Sequence, residues 1–147
     1  MPASELLEAP PLASPSVILA VNDSTDFLNL LDAIFCDKEV TVLTAESGSA
    51  ALEILRETRP DLIISDVVMP GINGIELCRR LKADPATSNI PVLLMTALRC
   101  DEADVVEGLR AGADDYLPAY VPIELLQKKV GLLVSYHKHL ETCGLSL

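Results

Sequence analysis

Oxygen-bearing side chains follow three apolar segments of the sequence, at the point where each segment ends. Asn22 and Asp23 follow the first segment, Asp66 follows the third and Thr96 follows the fourth. A carboxylate can attack phosphorus and form a mixed anhydride, provided that the negative charge gathered there is neutralised. Mg²⁺ suits such a site because it takes oxygen ligands, usually one or two carboxylates with water and phosphate oxygens. The next question is which elements would bring these groups together.

Five apolar segments are typical of buried parallel strands, and helical patterns alternate with them. The predicted strands are 17–21, 40–44, 62–64, 91–95 and 115–117. The predicted helices are one that begins after the N-cap Ser24 and those at 47–58, 75–83, 101–111 (ended by Gly112) and 122–139. The residues expected to face the sheet include Phe27, Leu30, Leu31 and Ile34 in the first helix and Ile123, Leu126, Val130 and Leu133 in the last.

This alternation predicts an α/β fold, a three-layer, doubly wound, flavodoxin-like sandwich around a parallel five-stranded sheet of order 2-1-3-4-5. In that order the first and third strands flank the switch point, so the polar groups at the strand ends would converge in one crevice. Residues 1–15 are rich in Pro, Ala, Ser and Glu and are predicted to form a disordered tail or linker. The domain would span residues 16–139, and residues 140–147 would fray.

Composition narrows the possible partners. The 22 acidic and 11 basic residues give a net charge of -11, which argues against direct binding to nucleic acid or an anionic membrane. No signal peptide or membrane span is evident, and we expect a cytoplasmic protein. The four cysteines form no C-x-x-C pair and are expected to be reduced and mostly buried. His137 and His139 are expected at a solvated helix end.

A sharp turn, Met69-Pro70-Gly71, follows Asp66. Gly71 and Gly74 are expected to adopt backbone angles that are closed to other residues. A helical pattern starts at once with Ile75, so the turn would fix the chain directly after the Asp66 carboxylate.

Four sequence blocks together resemble the receiver domain of two-component response regulators. They are VNDS (21–24), DVVMPGING (66–74), IPVLLMTA (90–97) and GADDYL (112–117), and the resemblance covers roughly residues 16–137. It implies that Asp66 is a phosphoacceptor that takes a phosphoryl group from a histidine kinase or phosphotransfer protein. It also implies a signalling role without enzymatic turnover of a separate substrate.

The resemblance extends to the rest of the site. Mg²⁺ would bind Asp23, Asp66 and the backbone carbonyl of Val68, with Asn22 as a weak or water-mediated ligand. Thr96 would donate its hydroxyl to the phosphoryl group, and the small Ala97 would let the following loop close and contact it through its backbone. Tyr116 would be the aromatic switch residue that moves inward with Thr96. The last two helices and the fifth strand would carry the signal, through a homodimer or another partner.

Two departures from the family pattern weaken the expected phosphate site. Asn22 stands where the family has an acidic residue, which removes one negative charge from the metal site. Ala119 stands where the family has a lysine, which removes a charge-assisted contact with the phosphoryl group. Arg99 is a candidate to replace that lysine because a guanidinium suits phosphate.

Other functions remain open at this point. The chain could be a pseudo-receiver, a docking module that works without phosphorylation. A flavodoxin-like electron carrier needs a phosphate-cradling loop after the first strand, and the acidic residues there disfavour one. A haloacid-dehalogenase-type phosphatase needs a second aspartate two residues after Asp66, where Val68 stands.

Overall fold

The computed structural model describes residues 15–37, 39–97 and 101–143, with side chains to residue 140. The predicted phosphate contact Arg99, the cysteine Cys100, nearly all of the predicted tail and residues 144–147 lie outside this description. The strands are β1 (Ser16–Val21), β2 (Val40–Ala45), β3 (Leu62–Asp66), β4 (Val92–Thr96) and β5 (Asp115–Pro118). The helices are α1 (Thr25–Phe35), α2 (Gly48–Ile54), α3 (Gly74–Ala83), α4 (Glu102–Arg110) and α5 (Ile123–Cys143).

The five strands form one parallel sheet of order β2-β1-β3-β4-β5, which confirms the predicted topology. Successive side chains of a strand point to opposite faces, so each strand supplies two cores. Ile18 and Ala20 face α1 and α5, whereas Leu19 and Val21 face the layer of α2, α3 and α4. Burying a leucine or isoleucine completely stabilises the fold by about 1.5–3 kcal/mol. The sheet is therefore held rigidly between two apolar layers.

Helix starts follow the sequence closely. Ser24, Ser47 and Asn73 each occupy the N-cap position and accept a hydrogen bond from a backbone N–H in the first turn. The predicted apolar face of α1 is partly wrong, because Leu30 is 49% exposed and the buried residues are Leu28, Leu31 and Phe35. The buried face of α1 is thus rotated about the helix axis relative to the predicted face.

Glycines at the two turns act in different ways. Gly71 has a φ of +76°, as the sequence predicted. Gly74 has no positive φ, and the expectation of an unusual backbone angle there is wrong. A Cβ at Gly74 would lie 2.0 Å from the carbonyl oxygen of Asp66. Glycine is required at that position by the close approach of two backbones.

The last helix departs most from the prediction. It continues to Cys143, past the predicted end at His139, and Ile123 in its first turn is 49% exposed. His137 is only 4% exposed, so its expected place at a solvated end is wrong. Its Nδ1 lies 3.1 Å from Oδ1 of Asp61, the residue directly before β3. A buried face of Leu126, Val130, Val134 and His137 fixes α5 against the sheet.

The outer edge of β5 has few free backbone donors. Ala119 N–H donates to Thr96 O (2.9 Å), and backbone donors alternate between the two sides of a strand. The donor positions that face away from β4 are therefore Tyr116 and Pro118. Tyr116 N–H donates to Oδ1 of Asp115 (2.8 Å), and proline has no N–H. Lys129 of α5 lies 2.8 Å from Oδ2 of Asp115 and covers this edge further.

The cysteines agree only in part with the expectation of buried thiols. Cys78 is buried, and burial raises the pKa of its thiol to about 11, so it stays protonated. Cys36 is exposed, contrary to the expectation. No helix in the described part of the chain is long and apolar enough to cross a membrane.

Candidate functional site

The carboxyl ends of three strands, β1, β3 and β4, meet around Asp66. Asp66 is the last residue of β3, and the β1–β3 register pairs Val21 with Ser65, which places Asn22 and Asp23 just beyond the sheet beside it. On the other side Asp66 pairs with Met95, so Thr96 follows next along β4. The crossover order thus assembles residues that are far apart in the sequence.

The Asp66 carboxyl has a raised pKa. Burial is the largest cause, and the nearby negative charge of Asp23 adds to it. Hydrogen bonds from the N–H groups of Val68 and Val67 and from the Thr96 hydroxyl oppose the shift without cancelling it. The Val68 N–H lies 3.3 Å from Oδ1 of Asp66. The structure therefore brings Asp23, Asp66 and Thr96 close enough to influence one another.

Asn22 and Asp23 differ in their surroundings. Asp23 is exposed, whereas Asn22 is buried and its Oδ1 accepts a hydrogen bond from Ser24 N–H (2.9 Å). One lone pair of the Asn22 oxygen is thus used to shape the turn before α1. This turn-forming role was not predicted, although Asn, Asp and Ser commonly form such turns.

The donor set fits a small divalent cation. Two carboxylates, Asp23 and Asp66, approach each other at an unfavourable electrostatic cost, and the adjacent Val68 is exposed. Nowhere in the described ranges do three or more Cys, His, Asp or Glu side chains cluster as metal ligands. Mg²⁺ needs fewer, because it is usually held by one or two carboxylates and keeps several waters.

Among the described residues, none of the groups that shift the pKa of Asp66 is a cation. Ala119 follows β5, and its N–H donates to the Thr96 carbonyl at 2.9 Å. That Ala119 takes the place of the family lysine stays a prediction. Arg99 lies outside the description and its predicted phosphate contact stays a prediction. Ala97 is exposed directly after Thr96.

Tyr116 is 8% exposed and belongs to the core layer between the sheet and the α2–α4 side. It lies on β5 opposite Leu94 of β4, two residues before Thr96. The predicted switch residue is therefore buried near the strand that carries Thr96.

Two supports of Asp66 were not predicted. Ser65 is buried and its hydroxyl donates to the Asp66 carbonyl (2.9 Å), and Gly74 packs against the same carbonyl. The spacing of Gly74 after the turn was visible in the sequence, but nothing there pointed to the Ser65 contact. Together they fix the main chain that carries the carboxylate.

Known proteins share both sequence and fold with this chain. The sequence profile described as "Response regulator receiver domain" matches residues 18–131. The transcriptional regulatory protein AfsQ1 of Streptomyces coelicolor is 41% identical over 116 residues, which cover 79% of this chain and 49% of that protein. The response regulator PleD of Caulobacter vibrioides is 39% identical over 119 residues, 81% of this chain and 26% of that protein.

A solved structure gives the same result. The signal receiver domain of a signal transduction histidine kinase from Syntrophus aciditrophicus has a TM-score of 0.76 and 40% identity, covering 82% of this chain and 91% of that one. The chain spans about half the length, or less, of the curated relatives that it matches. On the extent of these matches, the chain belongs to the family of response regulator receiver domains.

Proposed function

We propose that this receiver domain accepts a phosphoryl group on Asp66 from the phosphohistidine of a histidine kinase or phosphotransfer protein. A carboxylate oxygen of Asp66 forms a bond to phosphorus while the bond from phosphorus to the imidazole nitrogen breaks. The leaving imidazole takes up a proton, and the product is an aspartyl phosphate. Water later cleaves this anhydride and releases inorganic phosphate.

The observation that carries the proposal is the environment of the Asp66 carboxyl. It lies at a strand end, it is reached by the Thr96 hydroxyl, and burial together with Asp23 raises its pKa. Carboxyl groups with shifted pKa values concentrate at functional sites, where burial and nearby charges are arranged for chemistry.

Asp23, Asp66 and the Val68 carbonyl would hold Mg²⁺, with Asn22 as a weaker or water-mediated ligand. When bound, the ion would neutralise negative charge on the incoming phosphoryl oxygens. The Thr96 hydroxyl would donate to one of these oxygens, and the Ala97 backbone N–H would donate to another. Thr96 then moves toward the phosphoryl group, and Tyr116 responds to that movement.

The output surface in this proposal is formed by α4, β5 and α5. Seven of the nine large hydrophobic residues that are exposed in the described ranges lie on this segment: Val106, Leu109, Tyr120, Ile123, Leu125, Leu132 and Tyr136. This concentration of exposed apolar side chains on one segment makes the segment our candidate for association with another protein. A second copy of the chain is the partner that we propose for this surface.

The phosphate site lacks the family lysine, and a docking module that works without phosphorylation is the competing proposal. Incubation with acetyl phosphate and Mg²⁺, followed by intact mass measurement, separates the two. We expect the mass of one phosphoryl group to be added and Asp66→Asn to prevent the addition. A folded chain that stays unmodified under these conditions would favour the docking module.

A further inference from the structure

Gly108 on α4 lies directly against the ring of Tyr116. Gly108 is the buried residue of α4, and a Cβ placed on it would lie 2.7 Å from Cδ2 and 2.8 Å from Cε2 of Tyr116. The same Cβ would lie 3.1 Å from Cδ1 of Leu94. Real Cβ atoms essentially never come within 3.0 Å of such neighbours. The ring therefore occupies space that only glycine leaves open.

Gly108 also connects α4 to β5 through its backbone. Its carbonyl accepts a hydrogen bond from Ala113 N–H (3.2 Å), and Gly112, with a φ of +107°, makes the turn between them. This pattern is the Schellman motif of a helix C-terminus. The glycine thus contacts the Tyr116 ring with its bare Cα while its carbonyl holds the turn that leads to Tyr116.

The rest of α4 is lightly packed. Val106 and Leu109 are 40% and 46% exposed, and Val105 is only partly buried against the core. Because interiors are close-packed, a displacement of the Tyr116 ring leaves either a void or an overlap at Gly108. With few other buried contacts, α4 is the element that can shift in response.

We propose that Gly108 is a positioning residue that admits the Tyr116 ring to its buried position and thereby couples that ring to α4. The inference rests on the proposed function for the direction of signalling, in which Tyr116 responds to Thr96. The packing relation itself does not depend on phosphorylation. It can therefore be tested in the absence of a phosphodonor.

A double-mutant cycle tests the packing. Glycine to alanine within a helix normally stabilises a protein, because alanine has the higher helix propensity. We expect Gly108→Ala to lower the urea midpoint of the wild-type chain and to raise it in a Tyr116→Val background, where valine has no δ or ε atoms to overlap. If Gly108→Ala alone fails to fold, folding of the double variant supports the inference. An equal loss of stability in both backgrounds, or a double variant that also fails to fold, would overturn it.

A spectroscopic signature then separates positioning from bulk stability. The chain has three tyrosines, and Tyr120 and Tyr136 are exposed while Tyr116 is buried. After labelling with 3-fluorotyrosine, Tyr120→Phe and Tyr136→Phe assign the three ¹⁹F resonances. We expect Gly108→Ala to move the Tyr116 resonance toward those of the exposed pair, and the control Val106→Ala on the same helix to leave it in place. An unchanged Tyr116 resonance in folded Gly108→Ala contradicts the inference.

The last measurement repeats the ¹⁹F spectra after acetyl phosphate and Mg²⁺ have been added. We expect the Tyr116 resonance to shift in the wild type and to stay fixed in Gly108→Ala. A wild-type chain that is not modified would contradict the proposed function, while the first two measurements still judge the role of Gly108. A modified Gly108→Ala chain whose Tyr116 shifts as in the wild type would overturn the coupling.

Discussion

The two ends of β3 hold aspartates in opposite environments. Asp61, just before the strand, is buried, yet its Oδ1 lies 3.1 Å from His137 Nδ1 and 3.2 Å from Lys138 Nζ. Its Oδ2 accepts from Val17 N–H at 2.9 Å. Burial acts to raise the pKa of Asp61, but these hydrogen bonds together outweigh it and the pKa is lowered. Asp66, five positions later, has a raised pKa, and no cation contributes to the shift within the described residues.

The contrast shows how one strand can serve two purposes. At Asp61 every carboxylate oxygen has a donor, so the group joins β1, β3 and α5 and stabilises the fold. At Asp66 three hydrogen bonds stabilise the ionised carboxylate, but they do not offset its burial and the charge of Asp23. Natural proteins commonly keep such unfavourable groups at functional sites.

The largest expected effect is a loss of stability when Asp61, the aspartate with hydrogen-bond donors to both carboxylate oxygens, is removed. Asp61→Ala leaves His137 and Lys138 without their carboxylate, and removal of one partner from a buried ion pair typically costs about 3–5 kcal/mol. We expect the free energy of unfolding, measured by urea denaturation, to fall by about 3 kcal/mol or more. His139→Ala, at an exposed position on the same helix, is the control. A loss below about 1 kcal/mol would show that the cluster behaves like a surface ion pair.

A second variant would make the Asp66 end resemble the Asp61 end. Ala119→Lys supplies the missing cation, and a charge-assisted hydrogen bond is worth about 1.5–3 kcal/mol. We expect phosphorylation by acetyl phosphate to become roughly ten- to a hundredfold faster. Ala119→Met controls for side-chain length, and Tyr120→Lys controls for a cation one residue further along. Equal rates in the lysine and methionine variants at position 119 would refute the explanation.

A smaller effect on stability is expected from removing the negative charge of Asp66. Asp66→Asn relieves the repulsion with Asp23 and the cost of burying an ionised group. We expect the free energy of unfolding at pH 7 to rise by about 0.5–2 kcal/mol, a common range for single stabilising substitutions. The urea midpoint should increase at a constant slope. A decrease would mean that the Val68 and Thr96 hydrogen bonds outweigh the burial of the charge.

The smallest expected effect is a difference between Asp66 and Asp61 in how each makes the free energy of unfolding depend on pH. Asp66 has a folded pKa above its ordinary value of 3.8, so the folded state binds more protons and stability rises as the pH falls through that folded pKa toward 3.8. Asp61 has a folded pKa below 3.8, so its contribution is present above 3.8 and is lost as the pH falls through the lower value. We would measure the free energy of unfolding from pH 6 to pH 2. In Asp66→Asn the rise in stability with falling pH should disappear, and in Asp61→Asn the loss of stability at lower pH should disappear. The same profile in both variants would contradict the assignment.

The sequence predicted one end of β3 far better than the other. Strand order and the rule that ligands bind at carboxyl ends of parallel strands were sufficient to place Asp23, Asp66 and Thr96 together. The Asp61–His137 contact joins residues 76 positions apart. It depends on the rotation of α5 about its axis, which the apolar pattern did not fix, as the exposure of Ile123 shows. The Ser65 hydroxyl bond depends on a side-chain rotamer, which has no periodic signal at all.

The outer edge of β5 limits how this domain can recognise other proteins. A β-strand edge with free N–H groups can recruit an extended segment and lengthen the sheet. Here the Tyr116 donor is already taken by Asp115 and Pro118 offers none. Along β5 this border therefore presents carbonyl acceptors but no free N–H donor, which disfavours strand addition and edge-to-edge aggregation. A protein that docks on this side can donate hydrogen bonds to this edge but cannot accept any from its backbone.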